Sequence, residues 1–232
     1  MLKNRKKVLK YISESEAAPD SVCQLSPLIP EWYKQTPKWV NNIMQVFPKT
    51  NKTFKLCSPF LDSFITGYAM TLPADVLVSL SPEVQVTWNG TFKVVNQRAD
   101  FNNKNVPVPA GHLPHEYVWV LPSAIKIPAG YSLLVTHPLN RHDLPFTSLS
   151  AVIDGEFTMS SYGNLPFFLK EGFEGIIPKG TPIAQIIPFK RESWNLQKDA
   201  ALVNESRLNS RNSDSVIFGW YKKTIWKKKS YT

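Results

Sequence analysis

Nineteen prolines stand among the 232 residues, and their placement constrains the fold more than any other feature. Proline lacks a backbone N–H and is kept out of the central positions of a β-ladder. Here many prolines come in close pairs, such as Pro27 and Pro30, Pro107 and Pro109, and Pro178 and Pro182. Punctuation of this kind favours many short strands joined by stiff connections. The run EGIIPKGTPIAQIIPFKR (Glu174 to Arg191) is the clearest case. Gly180 permits a tight entry, Pro182 and Pro188 bracket a strand, and alternation predicts Ile183, Gln185 and Ile187 on one face with Ala184 and Ile186 on the other. A hydrophobic content of 43% with 12% aromatics gives a chain of this length enough apolar surface for a real core.

The same reading along the chain predicts a short basic helix in residues 1–12 and a solvated linker from Ser13 to Ser21. The aromatic stretch Leu28 to Val40 is expected to pack by the rings of Trp32, Tyr33 and Trp39. Ser58 to Pro82 opens with a helical turn and continues as two strands. Val84 to Val95 has the form of a hairpin, because Asn89-Gly90 is the favoured two-residue type I′ turn between alternating flanks. His115 to Pro138 reads as two strands divided around Pro122 and turned at Pro128-Ala129-Gly130. After Pro188 a ragged stripe of Trp194, Ala201, Leu202, Val203 and Leu208 predicts a helix over Glu192 to Ser210. Val216 to Trp226 then supplies a last strand or an aromatic anchor. The expected architecture is mainly β, a single barrel or sandwich at 28–190. A basic arm and linker precede it at 1–27, and a helical extension with a basic tail follows at 191–232.

The net charge of +9 is not spread evenly. The first ten residues hold five basic side chains and the last twelve hold five more, with no acidic residue in either. Ten of the 27 Lys and Arg therefore lie at the two ends, which leaves 17 against 18 Asp and Glu between them. Lys3, Arg5, Lys6 and Lys7 at one end, and Lys222, Lys223, Lys227, Lys228 and Lys229 at the other, are the expected contacts for an acidic partner or nucleic acid. The only apolar run after the first lysines is VLKYI, too short for a secretory leader, and no window is long enough to predict a membrane span. Cys23 and Cys57 have no redox or metal-ligand spacing and suit a reducing compartment.

Few residues suggest chemistry. His112 and His115 in GHLPH, and His137 and His142 in THPLNRHD, are candidate metal ligands, since imidazole and carboxylate suit zinc or non-haem iron. Their spacings match no metal motif, and adjacent His142 and Asp143 point apart on a strand. The cluster Asn140, Arg141, His142 and Asp143 follows a core strand directly, where binding residues are commonly displayed. There is no phosphate-binding glycine loop, nucleophile elbow or Cys-His pair, and no cofactor is expected.

In order, IPAGYSLLV, VIDGEF and IPKGTPIAQIIP (Ile127 to Pro188) resemble the core of the β-clip fold of trimeric dUTPases and dCTP deaminases. The resemblance implies that Asp154 matches the carboxylate that activates water, Phe157 the aromatic that stacks on the sugar, and Gln185 the glutamine of the closing strand. THPLNRHDL stands where those enzymes carry an Arg-Ser-Ser phosphate motif, and their Gly-rich, Arg-bearing arm is replaced by SRNSDSVIFGW. Groups able to hold a triphosphate are therefore few. A second resemblance spans Ile29 to Phe189 through IPEWYKQTPKW, CSPFLDSFITGYAMTLPADV, TWNG, AGHLPHEY, IPAGYSLLVTHPLNR and GFEGIIPKGTPIAQIIPF. It is to an uncharacterised all-β family of bacteria and tailed phages. That implies a compact β-domain of phage origin with no assigned catalytic residue, with a role in a virion or in host takeover. Taken with the first resemblance, the expectation is a β-clip-like homo-oligomer or a partner of other assembly proteins, in a virion or in the cytoplasm of an infected or bacterial cell. The expected function is a non-enzymatic scaffold or binding protein. A nucleotide pyrophosphatase centred on Asp154 and a metalloenzyme built on the histidine loops are the alternatives.

Overall fold

Several short strands, such as β3 (Tyr68–Thr71) and β9 (Tyr131–Thr136), form where apolar runs lie between prolines and glycines. The computed structural model describes residues 7–13, 20–40, 51–100, 107–120, 123–154, 164–215, 221–229 and 231. These divide into two units, one of Met1–Leu28 with Gly67–Arg191 and one of Ile29–Thr66 with Glu192–Thr232. The first unit holds the strands β1 (Lys10–Ser13), β2 (Val22–Gln24), β3 (Tyr68–Thr71), β4 (Val76–Ser79) and β5 (Gln85–Trp88). They are followed by β6 (Val95–Asp100), β7 (His112–Val120), β8 (Ser123–Lys126), β9 (Tyr131–Thr136) and β10 (Phe146–Ser148). The last are β11 (Ala151–Asp154), β12 (Asn164–Lys170), β13 (Gly175–Ile177) and β14 (Pro182–Lys190).

Among the described residues all ladders are antiparallel, in four sheets of order β1-β8, β10-β12-β7-β6, β11-β9-β14-β3-β2 and β13-β4-β5. The fold is mainly β, and among the described residues no sheet closes on itself into the expected barrel. The sheets share one core, in which Met70, Val76, Val78, Trp119, Phe146, Phe167, Ile183 and Ile186 are fully enclosed. Trp119 and Phe167 stack at 3.7 Å with their planes 5° apart, and Phe146 meets Trp119 edge-on at 5.0 Å.

β14 lies between β9 and β3 and is buried from Pro182 to Ile186, so both of its faces are inside. The expected alternation gives this strand apolar side chains on both faces, and packed layers cover each face of a central strand. Gly180 turns the chain into β14 at φ +83°, a left-handed conformation that suits glycine. Prolines are not confined to strand ends. Pro166 lies within β12, but its carbonyl accepts from Leu149 N–H at 2.8 Å just beyond β10, so its missing N–H falls where that partner strand has ended.

Four local expectations are corrected. Residues 10–13 form β1 along β8 instead of a helix, since an unpaired strand edge satisfies their backbone groups. Asn89-Gly90 does not close a hairpin: β5 pairs with β4, and β6 pairs with β7. Gly90 is not among the glycines of positive φ, which a type I′ turn requires. His112 to Thr136 makes three strands where two were expected. The helix after β14 is α3 (Leu202–Ser215) and starts ten residues late, after Asp199 accepts the Ala201 N–H at 2.8 Å.

The second unit contains α1 (Glu31–Gln35), α2 (Ser58–Ile65), α3, and a turn of π-type bonding at Tyr221–Ile225. Trp32 and Tyr33 of the aromatic stretch pack by their rings as expected, while the Trp39 ring centre lies 5.9 Å from the Lys52 ammonium. Tyr33 and Phe64 are buried at 4.8 Å from each other, and Trp32, Phe54 and Phe60 surround them. The Lys55 ammonium lies 4.1 Å over the Tyr33 ring and donates to the Tyr33 carbonyl at 2.6 Å.

Candidate functional site

The loop between β9 and β10 brings together most of the candidate polar residues. It begins at His137, whose Nδ1 accepts the Ser148 N–H at 3.3 Å. The imidazole proton therefore sits on Nε2, which donates to the Arg141 carbonyl at 3.0 Å. Burial holds the His137 pKa below its ordinary value of 6.5, against the upward pull of that bond. Leu139 N–H donates to the Gln185 side-chain oxygen at 2.9 Å, so the buried glutamine of β14 fastens the loop to the sheet. Asn140 takes the left-handed conformation at φ 60°, which asparagine tolerates better than most residues.

Arg141 and Asp143 bond mainly to each other. The guanidinium Nε lies 2.9 and 3.2 Å from the two carboxylate oxygens, and Nη2 lies 2.8 Å from Oδ2. Arg141 Nη1 also donates to the Leu28 carbonyl at 3.3 Å. Lys170 Nζ donates to the His142 carbonyl at 2.5 Å, while the His142 side chain is exposed. The loop thus uses its charges to fix its own shape.

The other histidines are separate. His112 has Ala110 O at 3.0 Å from Nδ1 and Thr147 Oγ1 at 2.8 Å from Nε2, so both ring nitrogens are engaged. His115 lies on β7 with its ring 6.2 Å from that of Tyr117. Among the described residues no group of three or more His, Cys, Asp or Glu comes together that could hold a metal, and Cys23 and Cys57 are free thiols.

Asp154 ends β11, the outer strand of its sheet, with its side chain 58% exposed. Ser132 Oγ donates to its Oδ1 at 2.7 Å, and Arg191 Nη1 lies 3.7 Å away. In register Asp154 faces Ser132 on β9 while Gln185 faces Thr136. The two are thus four residues apart along β9, about 13 Å, and on opposite flanks of it. This chain does not bring Asp154 and Gln185 to one point, and Phe157 lies outside the described residues.

Of the basic candidates, Lys3, Arg5 and Lys6 also lie outside the described residues. Lys7 Nζ is 5.8 Å from the Tyr131 ring centre. Lys222, Lys223, Lys227 and Lys228 are exposed, and Lys229 is half-buried 3.6 Å from Asp62.

Two polar centres escaped the sequence reading. Asp75 ties three segments together: its N–H donates to Asn89 Oδ1 at 2.9 Å, Oδ2 accepts from Asn89 Nδ2 at 2.9 Å, and Oδ1 accepts from the Lys179 N–H at 2.7 Å. Ser148 donates to the Ile183 carbonyl at 2.7 Å and accepts from the Trp119 indole at 3.2 Å. Neither leaves a sequence signal beyond a small polar residue beside an apolar run. No helix among the described residues is long and apolar enough to cross a membrane.

No protein-family model matches the chain, and no curated protein matches it. Among solved structures, the chain is similar to a mutant dUTPase from phage phi11 of S. aureus, described for its coordination of a structural Mg(II) ion. The two are 14% identical, the match covers 83% of this chain and 97% of that one, and the TM-score is 0.35.

Proposed function

We propose that the protein is a non-enzymatic β-scaffold or binding protein, of phage origin and seated in a virion or other assembly, as its sequence resemblance implies. Its mechanism is contact: basic residues at 3–10 and 222–229 meet an acidic surface, and the near-neutral β-unit associates with copies of itself or with assembly proteins. One observation supports this reading best. The polar side chains that the β9–β10 loop brings together are engaged in holding the fold. Gln185 fastens a loop, Arg141 pairs with Asp143, and His137 bridges two backbone groups. Asp154 stands apart from all three on an outer strand.

The competing reading is a nucleotide pyrophosphatase, and Asp154 favours it in one respect. It is open to solvent with a guanidinium and a hydroxyl beside it, groups suited to polarise water or hold phosphate. Incubation with each dNTP and Mg²⁺, followed by phosphate and pyrophosphate release, separates the two. No release above buffer is expected, with Asp154→Ala indistinguishable from the unmodified chain. Turnover that disappears in Asp154→Ala would overturn the scaffold reading.

A further inference from the structure

We propose that Asp62 fixes residues 221–229 in place and so converts a run of lysines into an ordered cationic patch for the phosphates of a nucleic-acid backbone. The proposal rests on the reading that basic segments contact an acidic partner, and it names the partner and the device that presents the charges.

Asp62 lies on α2 and is only 7% exposed. A carboxylate so enclosed needs a donor or a countercharge. Both come from 160 and more residues later in the chain. Trp226 donates its indole N–H to Oδ2 at 2.8 Å, and Lys229 Nζ stands 3.6 Å from the same oxygen. The other oxygen, Oδ1, is buried without a hydrogen bond among the described residues. Asp62 therefore has no described donor but these two residues, and the segment is held by a group that needs it.

The segment is shaped to match. Trp226 N–H donates to the Tyr221 carbonyl at 2.8 Å, which closes the π-type turn, and Lys229 Nζ also reaches the Lys227 carbonyl at 2.9 Å. Lys222 Nζ lies 6.0 Å from the centre of the Trp226 ring. Exposure follows the anchoring. Trp226 and Lys229, three residues apart, are half-buried, whereas Lys222, Lys223, Lys227 and Lys228 face solvent. Four amines are thus displayed on a short segment, 221–229, in which no carboxylate occurs.

A partner for such a patch must offer closely spaced negative charge along a line. Duplex nucleic acid offers one charge per about 1.7 Å of axis and is recognised through lysine contacts of this kind. Holding the lysines in place before contact removes part of the ordering cost that a free arm meets on binding. Asp62 acts as a positioning residue, since it touches the partner only through the segment it holds.

The test reads anchoring and binding separately. Tryptic cleavage after Lys222, Lys223, Lys227, Lys228 and Lys229, followed by mass spectrometry, reports whether the segment is held. Anisotropy of a short fluorescein-labelled DNA duplex reports affinity. Asp62→Ala is the first variant, and Trp226→Ala is the second, because it leaves α2 untouched. Both are expected to be cut faster at these sites and to bind DNA several-fold more weakly. Asp62→Ala adds one unit of positive charge, so electrostatics alone would make it bind more tightly, and tighter binding would overturn the proposal. Unchanged cleavage in both variants would overturn the anchoring. Binding of polyglutamate in place of DNA would overturn the choice of nucleic acid. If the unmodified chain binds neither polymer while both variants are cut faster, the anchor stands and the underlying reading of the basic segments fails.

Discussion

His137 keeps its position by accepting a hydrogen bond from the Ser148 N–H at the end of β10 and donating another to the Arg141 carbonyl of its own loop. A second proton would put a donor where Nδ1 now accepts, and burial already disfavours the charged ring. The consequence for stability has a definite sign. Unfolding returns the imidazole to its ordinary value of 6.5, so above that pH both states are neutral and the stability is fully present. As pH falls below 6.5 the unfolded chain takes up the proton first, and stability is lost until the lower folded-state value is passed. Thermal melts from about pH 7.5 to pH 5 are therefore expected to fall more steeply for the unmodified protein than for His137→Gln. Parallel curves for the two would contradict the role given to this ring. Asn89 makes a similar point without a charge: a residue that reads as half of a tight turn is a clamp on Asp75.

At the level of elements, β14 organises the five-stranded sheet, and its neighbours approach it closely. Gly67, at φ +84°, enters β3 so near to β14 that a Cβ there would lie 2.0 Å from the Ile186 carbonyl oxygen. Gly67→Ala is expected to push β3 and β14 apart and to destabilise the fold by about 2–4 kcal/mol, combining backbone strain with lost ladder bonds. Denaturant unfolding measures this, and an unchanged midpoint would count against the close approach. Much of this architecture is legible in the sequence. Apolar runs between prolines and glycines mark β3, β4, β9 and β14 because their burial needs only local alternation or continuity. Pairing is not legible in the same way. Whether β5 turns back on β6 or lies beside β4 depends on which surface is free to cover it, and Asn89-Gly90 permits either path. α3 starts later than its stripe predicts, since Trp194, the first member of that stripe, is 88% exposed. Of the candidate site, the clustering of residues 137–143 was legible, since a loop after a core strand gathers its own polar groups. The engagement of Gln185 with Leu139 was not, for it joins residues 46 apart across two elements.

Over the whole molecule, charge and chemistry separate. The 210 residues between the two ends are close to neutral, and the polar groups described there chiefly hold loops and strand ends. The excess positive charge belongs to two short segments, one of which the second unit holds through Asp62. That distribution is what a protein acting by contact requires, and it makes salt dependence the informative quantity. The direct measurement is DNA affinity against salt concentration for the intact chain and for a variant with Lys222, Lys223, Lys227 and Lys228 replaced by glutamine. The expected result is affinity that falls with salt, and a slope reduced in the variant by about one for each lysine that met a phosphate. Equal affinity and equal slope for the two proteins would contradict the account.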